Sequence, residues 1–205
     1  MIVTGLEQVT NAKFKIYLDG EFAFVLYKGE LSRYGIEEGA VLDKDVVAKI
    51  LEEVVLKRAK LRALHLLEGM DRSEAGLREK LRQGMYPKEV IERAIAYVKS
   101  FGYLDDERYA RHFVEGRKAT KSRKEIYYLL SQKGIRTEVI EQVFECCYGE
   151  ENEEIEAIQK IIQKKRIDLD HASKEQIQKL CGYLSRKGFR YEDIRQVIQN
   201  RDENA

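Results

Sequence analysis

The residues of this sequence best suited to chemistry are cations gathered in one short run. The run reads Arg117-Lys118-Ala119-Thr120-Lys121-Ser122-Arg123-Lys124. Ser122 and Glu125 have the spacing of a helix capping box, so the cations crowd a helix start, where the macrodipole disfavours positive charge. That placement indicates an anionic partner. Because charge runs also occur on helix faces that contact only solvent, the solvent-exposed interpretation stays open beside it.

A second basic cluster lies earlier, on a stretch with helical periodicity. Its members are Lys57, Arg58, Lys60 and Arg62. A charge cluster on a helix is by default a solvated face. We therefore rank these four residues second as candidates for contact with a partner.

The acidic run Asp105-Asp106-Glu107 offers a possible metal site for nuclease chemistry. Consecutive helix residues point to different faces, however, and acidic side chains at a helix start are explained by capping and by the macrodipole. The histidines, His65, His112 and His171, are scattered, and the sequence lacks the metalloprotease, P-loop, dinucleotide-binding and nucleophile-elbow motifs. We therefore predict a binding protein that is not an enzyme, with no catalytic residues, no metal and no cofactor.

The elements that would position these residues meet near Gly102. This residue lacks a Cβ and can take the left-handed conformation that closes a helix. Tyr103 and Leu104 are then expected to fold back onto the core, and Asp105 to cap the next helix through its side chain. The stretch predicts a helix end followed at once by a helix start.

The sequence on either side of this joint is repeated. One copy surrounds Gly84, a second surrounds Gly134 and a third surrounds Gly188. Each copy has an apolar-periodic helix, a capping glycine, one apolar residue, a short polar joint and a second helix. The glycines are separated by 50 and then 54 residues, which predicts an internal repeat of three helical units. In the first copy, Pro87 is predicted at the first position of a helix whose apolar face ends at Phe101.

Residues 1–30 differ from the rest because they are rich in β-branched and aromatic side chains. Apolar and polar residues alternate on both sides of Asp19-Gly20, the signal of a β-hairpin with a type I′ turn. Residues 2–9 could add a third strand. A loop or short helical turn is predicted to follow, and then a lead-in helix, capped by Asp43, that extends as one helix or two to Gly69.

Composition limits the function further. The 37 Lys and Arg residues against 36 Asp and Glu leave a net charge of +1, far from the excess expected of a protein that acts on bare DNA. Three cysteines without C-x-x-C spacing favour reduced thiols and a cytoplasmic location. No apolar run approaches the roughly 18 residues of a membrane span, and the N-terminal residues lack the apolar core of a signal peptide. We expect no membrane partner.

Three stretches together resemble the RecX family of regulatory proteins. They are Ser73-Glu74-x-x-Leu77-x-x-Lys80-Leu81-x-x-Gly84, Gly102-Tyr103-Leu104-Asp105-Asp106-x-Arg108-Tyr109-Ala110 and Lys133-Gly134-Ile135. The resemblance covers residues 56–200, and the N-terminal hairpin is similar to an extension of some family members. Gly76 departs from the family pattern, in which a helix-favouring, usually acidic, residue is expected.

The resemblance implies a mainly α fold, with tandem three-helix units in an elongated crescent and a small N-terminal β-hairpin or sheet. We expect divisions at residues 1–42, 43–104, 105–149 and 150–205. The resemblance also implies binding to the RecA recombinase filament on single-stranded DNA, in the filament groove, with lower filament growth, ATP hydrolysis and strand exchange. We expect a monomer whose contacts with filament protein or DNA come from Arg108, Arg111, Arg117, Lys118, Lys121, Arg123 and Lys124.

Two other functions stay open. A direct, non-specific nucleic-acid-binding protein would bind single strands without the recombinase, and a structural adaptor would bind neither. The near-zero net charge weakens the first, and the family motif weakens the second. Blocks of both charge signs on a repeat array suit a groove walled by protein and floored by DNA.

Overall fold

Three antiparallel strands open the chain in the computed structural model, which describes residues 1–148 and 153–199. The strands are β1 (Val3–Thr10), β2 (Lys13–Leu18) and β3 (Glu21–Tyr27), paired in the order β1-β2-β3. Asp19 and Gly20 have φ values of 50° and 90°, so both central turn residues are left-handed, as a type I′ turn requires. The predicted hairpin and its third strand are confirmed.

A short helix follows the sheet. This helix, α1 (Lys28–Tyr34), ends at Gly35, which has a left-handed φ of 61°. The carboxylate of Glu30 accepts the Tyr27 N–H at 2.7 Å, and this bond ties the first turn of α1 to the end of β3. Of the two predicted alternatives, a loop or a short helical turn, the helical one is present, although α1 is longer than a single turn. Its length was not predictable from a cap, because no Ser, Thr, Asp or Asn stands at the N-cap.

The lead-in helix is continuous but not uniform. It consists of α2 (Lys44–Ile50), a π-helical segment (Leu51–Leu56) and α3 (Lys57–Glu68), and the residues at both junctions keep helical φ and ψ. Asp43 occupies the N-cap position, but its side chain makes no cap hydrogen bond. The predicted helix start is correct, and the predicted side-chain cap is wrong.

The first compact unit spans residues 1–105 and has one hydrophobic core. The helices α4 (Glu74–Gln83) and α5 (Lys88–Ser100) complete it. Ile16, Phe24 and Leu26 of the sheet share this core with the buried side chains of the helices. A three-stranded sheet is marginal alone, so packing on the helices stabilises it.

The second unit, residues 106–205, contains two groups of three helices, each with its own core. The second trio is α6 (Asp106–Glu115), α7 (Arg123–Gln132) and α8 (Thr137–Cys147). The third trio is α9 (Glu153–Lys165), α10 (Lys174–Arg186) and α11 (Tyr191–Gln199). The expected division between residues 149 and 150 and the end of the chain from residue 200 onward lie outside the described residues.

Glycine closes three of the four helix ends for which it was predicted. Gly102, Gly134 and Gly188 have φ values of 70°, 75° and 89°. At the first copy, Gly84 has a φ of −75°, and the next residue, Met85, takes the left-handed φ of 59°. The predicted cap at Gly84 is therefore displaced by one residue.

Gly84 serves close packing instead. A Cβ at this position would lie 2.9 Å from Cε2 of Tyr86 and 3.1 Å from the carbonyl oxygen of Leu81. The Tyr86 N–H donates to that same carbonyl at 3.4 Å. This is the six-to-one bond of a Schellman closure, so the first copy ends as the others do, with Met85 in the place of the glycine.

Serine side chains cap three helices. Ser73, Ser122 and Ser173 each accept a hydrogen bond from the N–H three residues further on, at 3.1, 3.1 and 3.3 Å. Gln176 completes a capping box at Ser173. Pro87 is the N-cap of α5 rather than its first helical residue, a shift of one position.

The aromatic residues around Gly102 do not enter the core. Leu104 is buried as predicted, but Phe101 and Tyr103 are 58% and 54% exposed. Their rings stack with centroids 6.0 Å apart, and Tyr97 meets Phe101 edge-on at 5.0 Å. The core prediction was wrong for both because Phe101 already lies beyond the last helical residue of α5, so its side chain leaves the apolar stripe.

Candidate interaction surface

The basic run 117–124 lies in the tight connection between α6 and α7 and in the first turn of α7. Residues 116–121 form turns, Ser122 is the N-cap, and α7 begins at Arg123. The structure therefore brings the five predicted cations of this run together. It does not expose them equally.

Lys118 is anchored inside the second unit. Its ammonium donates to the carbonyl oxygen of Cys147 and to Oε1 of Glu153, both at 3.0 Å, and lies 3.2 Å from Oε1 of Glu115. Burial acts to lower the pKa of Lys118, but the hydrogen bonds to the two carboxylates outweigh it, and the pKa is raised. The charged lysine thus joins the second trio to the start of α9.

Lys121 shares a carboxylate with a lysine of the third trio. Its ammonium forms an ion pair with Glu125, and Nζ of Lys187 lies 3.6 Å from the same Oε1. The Glu125 side chain is 21% exposed, so two cations surround a carboxylate that is largely removed from water. Lys121 therefore contributes to the contact between the trios as well as to the surface charge.

Two arginines of the run lie over aromatic rings. The guanidinium carbon of Arg117 is 3.8 Å from the ring centre of Phe113, and that of Arg123 is 4.9 Å from the ring centre of Phe144. The Arg123 N–H also donates to Oε1 of Glu154 at 2.9 Å. Burial raises the pKa of Glu154 in spite of this hydrogen bond. Arg123 also lies 5.4 Å from the ring centre of Tyr148, and Arg117 donates to the carbonyl oxygen of Phe113 at 3.5 Å, so both guanidinium groups are partly engaged within their own trio.

Ser122 fixes the approach of the second and third trios. It is fully buried, accepts the Glu125 N–H and donates its own O–H to the carbonyl oxygen of Lys187 at 2.6 Å. A Cβ on Gly188 would lie 3.0 Å from Oγ of Ser122 and 3.1 Å from Cβ of Lys124. The two trios therefore meet so closely that the position favours glycine for space as well as for its positive φ.

Three of the predicted cations are more openly placed. Arg108 and Arg111 are exposed on α6, and Lys124 is exposed on the first turn of α7. Arg111 donates to Glu107 at 2.6 Å, but both side chains are more than 40% exposed, so this pair is weak and can exchange partners. In the part of the chain that the structure describes, no carboxylate lies within 4.0 Å of the Lys124 ammonium.

The second-ranked cluster also contains an anchored arginine. The guanidinium of Arg58 donates to both carboxylate oxygens of Glu30, at 2.5 and 2.7 Å, and to the carbonyl oxygen of Val25 at 3.1 Å. It also lies 4.6 Å from the ring centre of Tyr27. Arg58 therefore holds β3 and α1 against the lead-in helix.

The other members of that cluster are less constrained. Lys60 lies with Nζ 4.6 Å from the ring centre of Tyr97, and Lys57 and Arg62 are exposed. These three belong to the first unit, whereas the run 117–124 belongs to the second. Each cluster is thus a local feature of its own unit.

Within residues 1–148 and 153–199, no three His, Cys, Asp or Glu side chains are grouped so that they could hold a metal ion. No helix among the same residues is both long enough and apolar enough to cross a membrane. Cys146, Cys147 and Cys181 are free thiols.

Comparison with known proteins identifies the family. Models of three RecX domains match the chain, namely the first three-helix domain at residues 59–97, the second at 105–143 and the third at 152–198. Regulatory protein RecX of Caldanaerobacter subterraneus is 33% identical over 200 residues, which cover 97% of this chain and 98% of the relative. The chain belongs to the RecX family.

Other RecX proteins support the assignment. Regulatory protein RecX of Clostridium acetobutylicum is 27% identical over 202 residues, covering 96% of this chain and 94% of the relative. A crystal structure of regulatory protein RecX is 24% identical and superimposes with a TM-score of 0.63 over 97% of this chain and 98% of its own. That likeness shows the same fold, and the relatives' shared name supports a RecX regulatory role.

In this RecX-family chain, sequence reasoning missed the residues that hold the basic run in place. Glu153, Glu154 and Lys187 bond to the run from 35, 31 and 65 residues away. No spacing rule connects residues so far apart. The sequence offers one related signal, because Lys187-Gly188 repeats Lys133-Gly134. This repeat marks the end of a helix, but it does not show which residues pack against that end.

Proposed function

We propose that this protein binds the RecA recombinase filament on single-stranded DNA and restrains filament growth, ATP hydrolysis and strand exchange. The observation that carries the proposal is membership of the RecX family over nearly the whole length of a curated relative. The protein acts as a monomer in the cytoplasm, and its free thiols are consistent with a reducing compartment.

On this proposal, the predicted site residues have two different roles. Lys118 and Lys121 hold the joint between the second and third trios through their side chains, and Arg123 does so through its backbone N–H. Arg108, Arg111, Arg117 and Lys124 present charge to the filament. The exposed cations are interspersed with carboxylates and the net charge is +1, so attraction to bare DNA alone is modest and contacts with the filament protein must add to it.

The first experiment measures ATP hydrolysis by the cognate RecA on single-stranded DNA, with and without this protein. A fall in hydrolysis at concentrations too low to coat the DNA is expected. An unchanged rate over a range in which the protein saturates the filament would overturn the proposal.

A second experiment tests the exposed residues. The triple variant R108Q/R111Q/K124Q removes three accessible charges and leaves the anchored cations intact. Because an exposed ion pair contributes up to about 1 kcal/mol, its inhibitory concentration should rise by about tenfold or more. The matched control K44Q/K49Q/K88Q removes three exposed charges of the first unit and should inhibit as the wild type does. Full inhibition by the folded first variant would remove these residues from the site.

A further inference from the structure

The third trio carries a basic cluster that the proposed site does not use. Lys160, Lys164, Lys165 and Arg166 occupy the C-terminal half and the end of α9. The helix macrodipole favours cations at this end, which explains why they are tolerated there. It does not explain the surface that they form together with α10.

Two open cavities flank this cluster, both within the second unit. Their volumes are about 500 and 350 Å³. The larger is lined by residues that include Lys165, Arg166, His171, Lys179 and Tyr183. The smaller is lined by residues that include Thr120, Lys160, Lys164, Lys165, Tyr183 and Lys187. Lys165 and Tyr183 line both, so the two cavities are neighbours, and they are here together called the α9–α10 groove.

Only part of the positive charge of the groove is neutralised. Lys160, Lys179 and Lys187 are paired with exposed or partly exposed carboxylates, those of Glu156, Glu175 and Glu125. Within the described residues, Lys164, Lys165 and Arg166 have no carboxylate within 4.0 Å. Asp168 also lines the larger cavity, but its carboxylate is hydrogen-bonded to Nδ1 of His171 at 2.8 Å. The groove is therefore prepared for a ligand that carries several negative charges.

The ring of Tyr183 lies beside one of these cations and packs in part against the core of the third trio. Nζ of Lys165 is 4.1 Å from the ring centre of Tyr183, which is partly exposed. A cation beside an accessible aromatic ring is the arrangement by which proteins bind single-stranded nucleic acid, since bases stack on the ring while cations follow the backbone phosphates.

The backbone at the end of α9 adds a further observation. Arg166 has a φ of 54°, a left-handed conformation that glycine provides at Gly102, Gly134 and Gly188. The Ile167 N–H donates to the carbonyl oxygen of Ile162 at 3.3 Å, which is the same helix closure. An arginine thus stands where the backbone favours glycine, and its side chain lines the groove.

We propose that the α9–α10 groove binds a short segment of single-stranded nucleic acid. Lys160, Lys164, Lys165 and Arg166 neutralise backbone phosphates, and Tyr183 stacks on a base. The partly exposed ring beside these cations favours nucleic acid over an acidic peptide, which would pair with the cations but would not need an aromatic ring. The proposal goes beyond the proposed function, because it concerns free single strands and holds without the recombinase.

The test measures binding of the full chain to a fluorescently labelled oligothymidylate by anisotropy, at low and at physiological salt. The variant K164Q/K165Q/R166Q should bind about tenfold or more weakly at low salt, and its slope of log K against log salt should fall by about 2, since each phosphate contact on a single strand contributes about 0.7. The control R136Q/K174Q/R195Q removes three exposed charges of the same unit and should keep the wild-type slope.

A second pair of variants tests the ring. Tyr183→Leu should weaken binding about five- to tenfold, because base stacking on an aromatic side chain is lost, whereas Tyr183→Phe should bind as the wild type does. Circular dichroism and thermal unfolding establish that each variant is folded. Equal weakening by Leu and Phe would remove the stacking role.

Several other outcomes would contradict the binding of nucleic acid by the groove. The proposal is overturned if the wild-type chain does not bind the oligonucleotide, if both triple variants lose equal affinity, or if the groove variant loses binding to polyglutamate but not to DNA. If the protein lowers ATP hydrolysis by RecA but does not bind free DNA, the proposed function is supported and nucleic-acid binding by the groove is contradicted. If the protein binds DNA through the groove but leaves ATP hydrolysis by RecA unchanged, binding by the groove is supported and the proposed function is contradicted.

Discussion

The two basic clusters, residues 57–62 and 117–124, are alike in sequence and differ in what they hold together. In the first, a single arginine, Arg58, joins the sheet to the lead-in helix through Glu30 and the Val25 carbonyl. In the second, two lysines, a buried serine and a glycine join one helical trio to the next. A run of cations in a sequence can therefore be part of the fold, and only the residues that remain exposed are left for a partner.

The largest effect is expected at the closest point of the second cluster. Gly188→Ala should lower the free energy of unfolding by about 3 kcal/mol, since a left-handed backbone costs about 1–2 kcal/mol and crowding of a packed contact adds at least as much. Gly35→Ala is the control, because Gly35 has a φ of 61° and nothing within 4 Å of an added Cβ. The free energy of unfolding of Gly35→Ala should fall only by the cost of the left-handed backbone, about 1–2 kcal/mol. Urea unfolding measures both, and equal losses would mean that the trios are not closely packed here.

The buried serine should have the next largest effect. Ser122→Ala removes a helix cap, at a cost of about 1 kcal/mol, and leaves the Lys187 carbonyl without its donor, at a further cost of about 1 kcal/mol. Ser173→Ala removes a cap that is exposed and has no second bond across a joint. It should cost about 1 kcal/mol, also measured by urea unfolding. If the two variants are equally stable, Ser122 does not connect the trios.

In the first cluster, the expected contrast lies between neighbouring residues. Arg58→Ala should destabilise the protein by about 1–2 kcal/mol, because a partly buried ion pair and a hydrogen bond to the sheet are lost. Lys57→Ala changes an exposed cation one residue away and should stay within about 0.5 kcal/mol of wild type. Thermal unfolding followed by circular dichroism would show the difference. A large effect of Lys57→Ala would contradict the division into anchored and exposed cations.

The smallest effect is a change of pH dependence at the second cluster. Burial raises the folded-state pKa of Glu154 above the ordinary value of 4.5, so the folded protein holds this proton more tightly than the unfolded chain. The stabilising contribution of that proton is complete below pH 4.5 and is lost as the pH rises through the folded-state pKa. In Glu154→Gln, stability should therefore fall less between pH 4.5 and neutrality than it does in wild type.

The pKa of Glu74, in the first unit, is shifted in the opposite direction, so its effect on the pH dependence of stability has the opposite sign. Burial opposes ionisation there, but hydrogen bonds from Lys99 and Arg78 outweigh it and lower the pKa of Glu74. Its contribution is present above the ordinary value and is lost as the pH falls through the lowered pKa, so Glu74→Gln should reduce acid sensitivity. Urea unfolding across this pH range measures both variants. Parallel pH profiles for the two variants would contradict at least one of the two assignments.

Helices, the hairpin and the three-fold repetition were predictable because their signals are local. Apolar periodicity identifies the helices, and the Asp19-Gly20 turn identifies the hairpin. Ser122 was recognised as a cap because the side chain and the N–H from which it accepts a hydrogen bond are three residues apart.

What could not be predicted depends on residues distant in the chain. Whether Lys118 faces solvent is decided by Glu153, and whether Gly188 must be glycine is decided by Ser122. The basic run could therefore be found, but its anchored and exposed members could not be separated. The exposure of Phe101 was missed for a related reason, because a one-residue difference in the end of α5 moves a side chain from the core to the surface.

The π-helical segment 51–56 has a consequence for how the lead-in helix tolerates changes of length. At about 100° per residue, Ala59 of a uniform α-helix would lie roughly 120° around the axis from Val47, although both are buried in the same core. A π turn accommodates one extra residue and so rotates everything after it back by about 100°. The π-helical segment thus accommodates one residue more than a uniform α-helix would need to place both residues on the same face. A chain shortened by one at Glu53 could align both apolar stripes as an ordinary helix, whereas a chain lengthened by one would turn Arg58 away from the sheet.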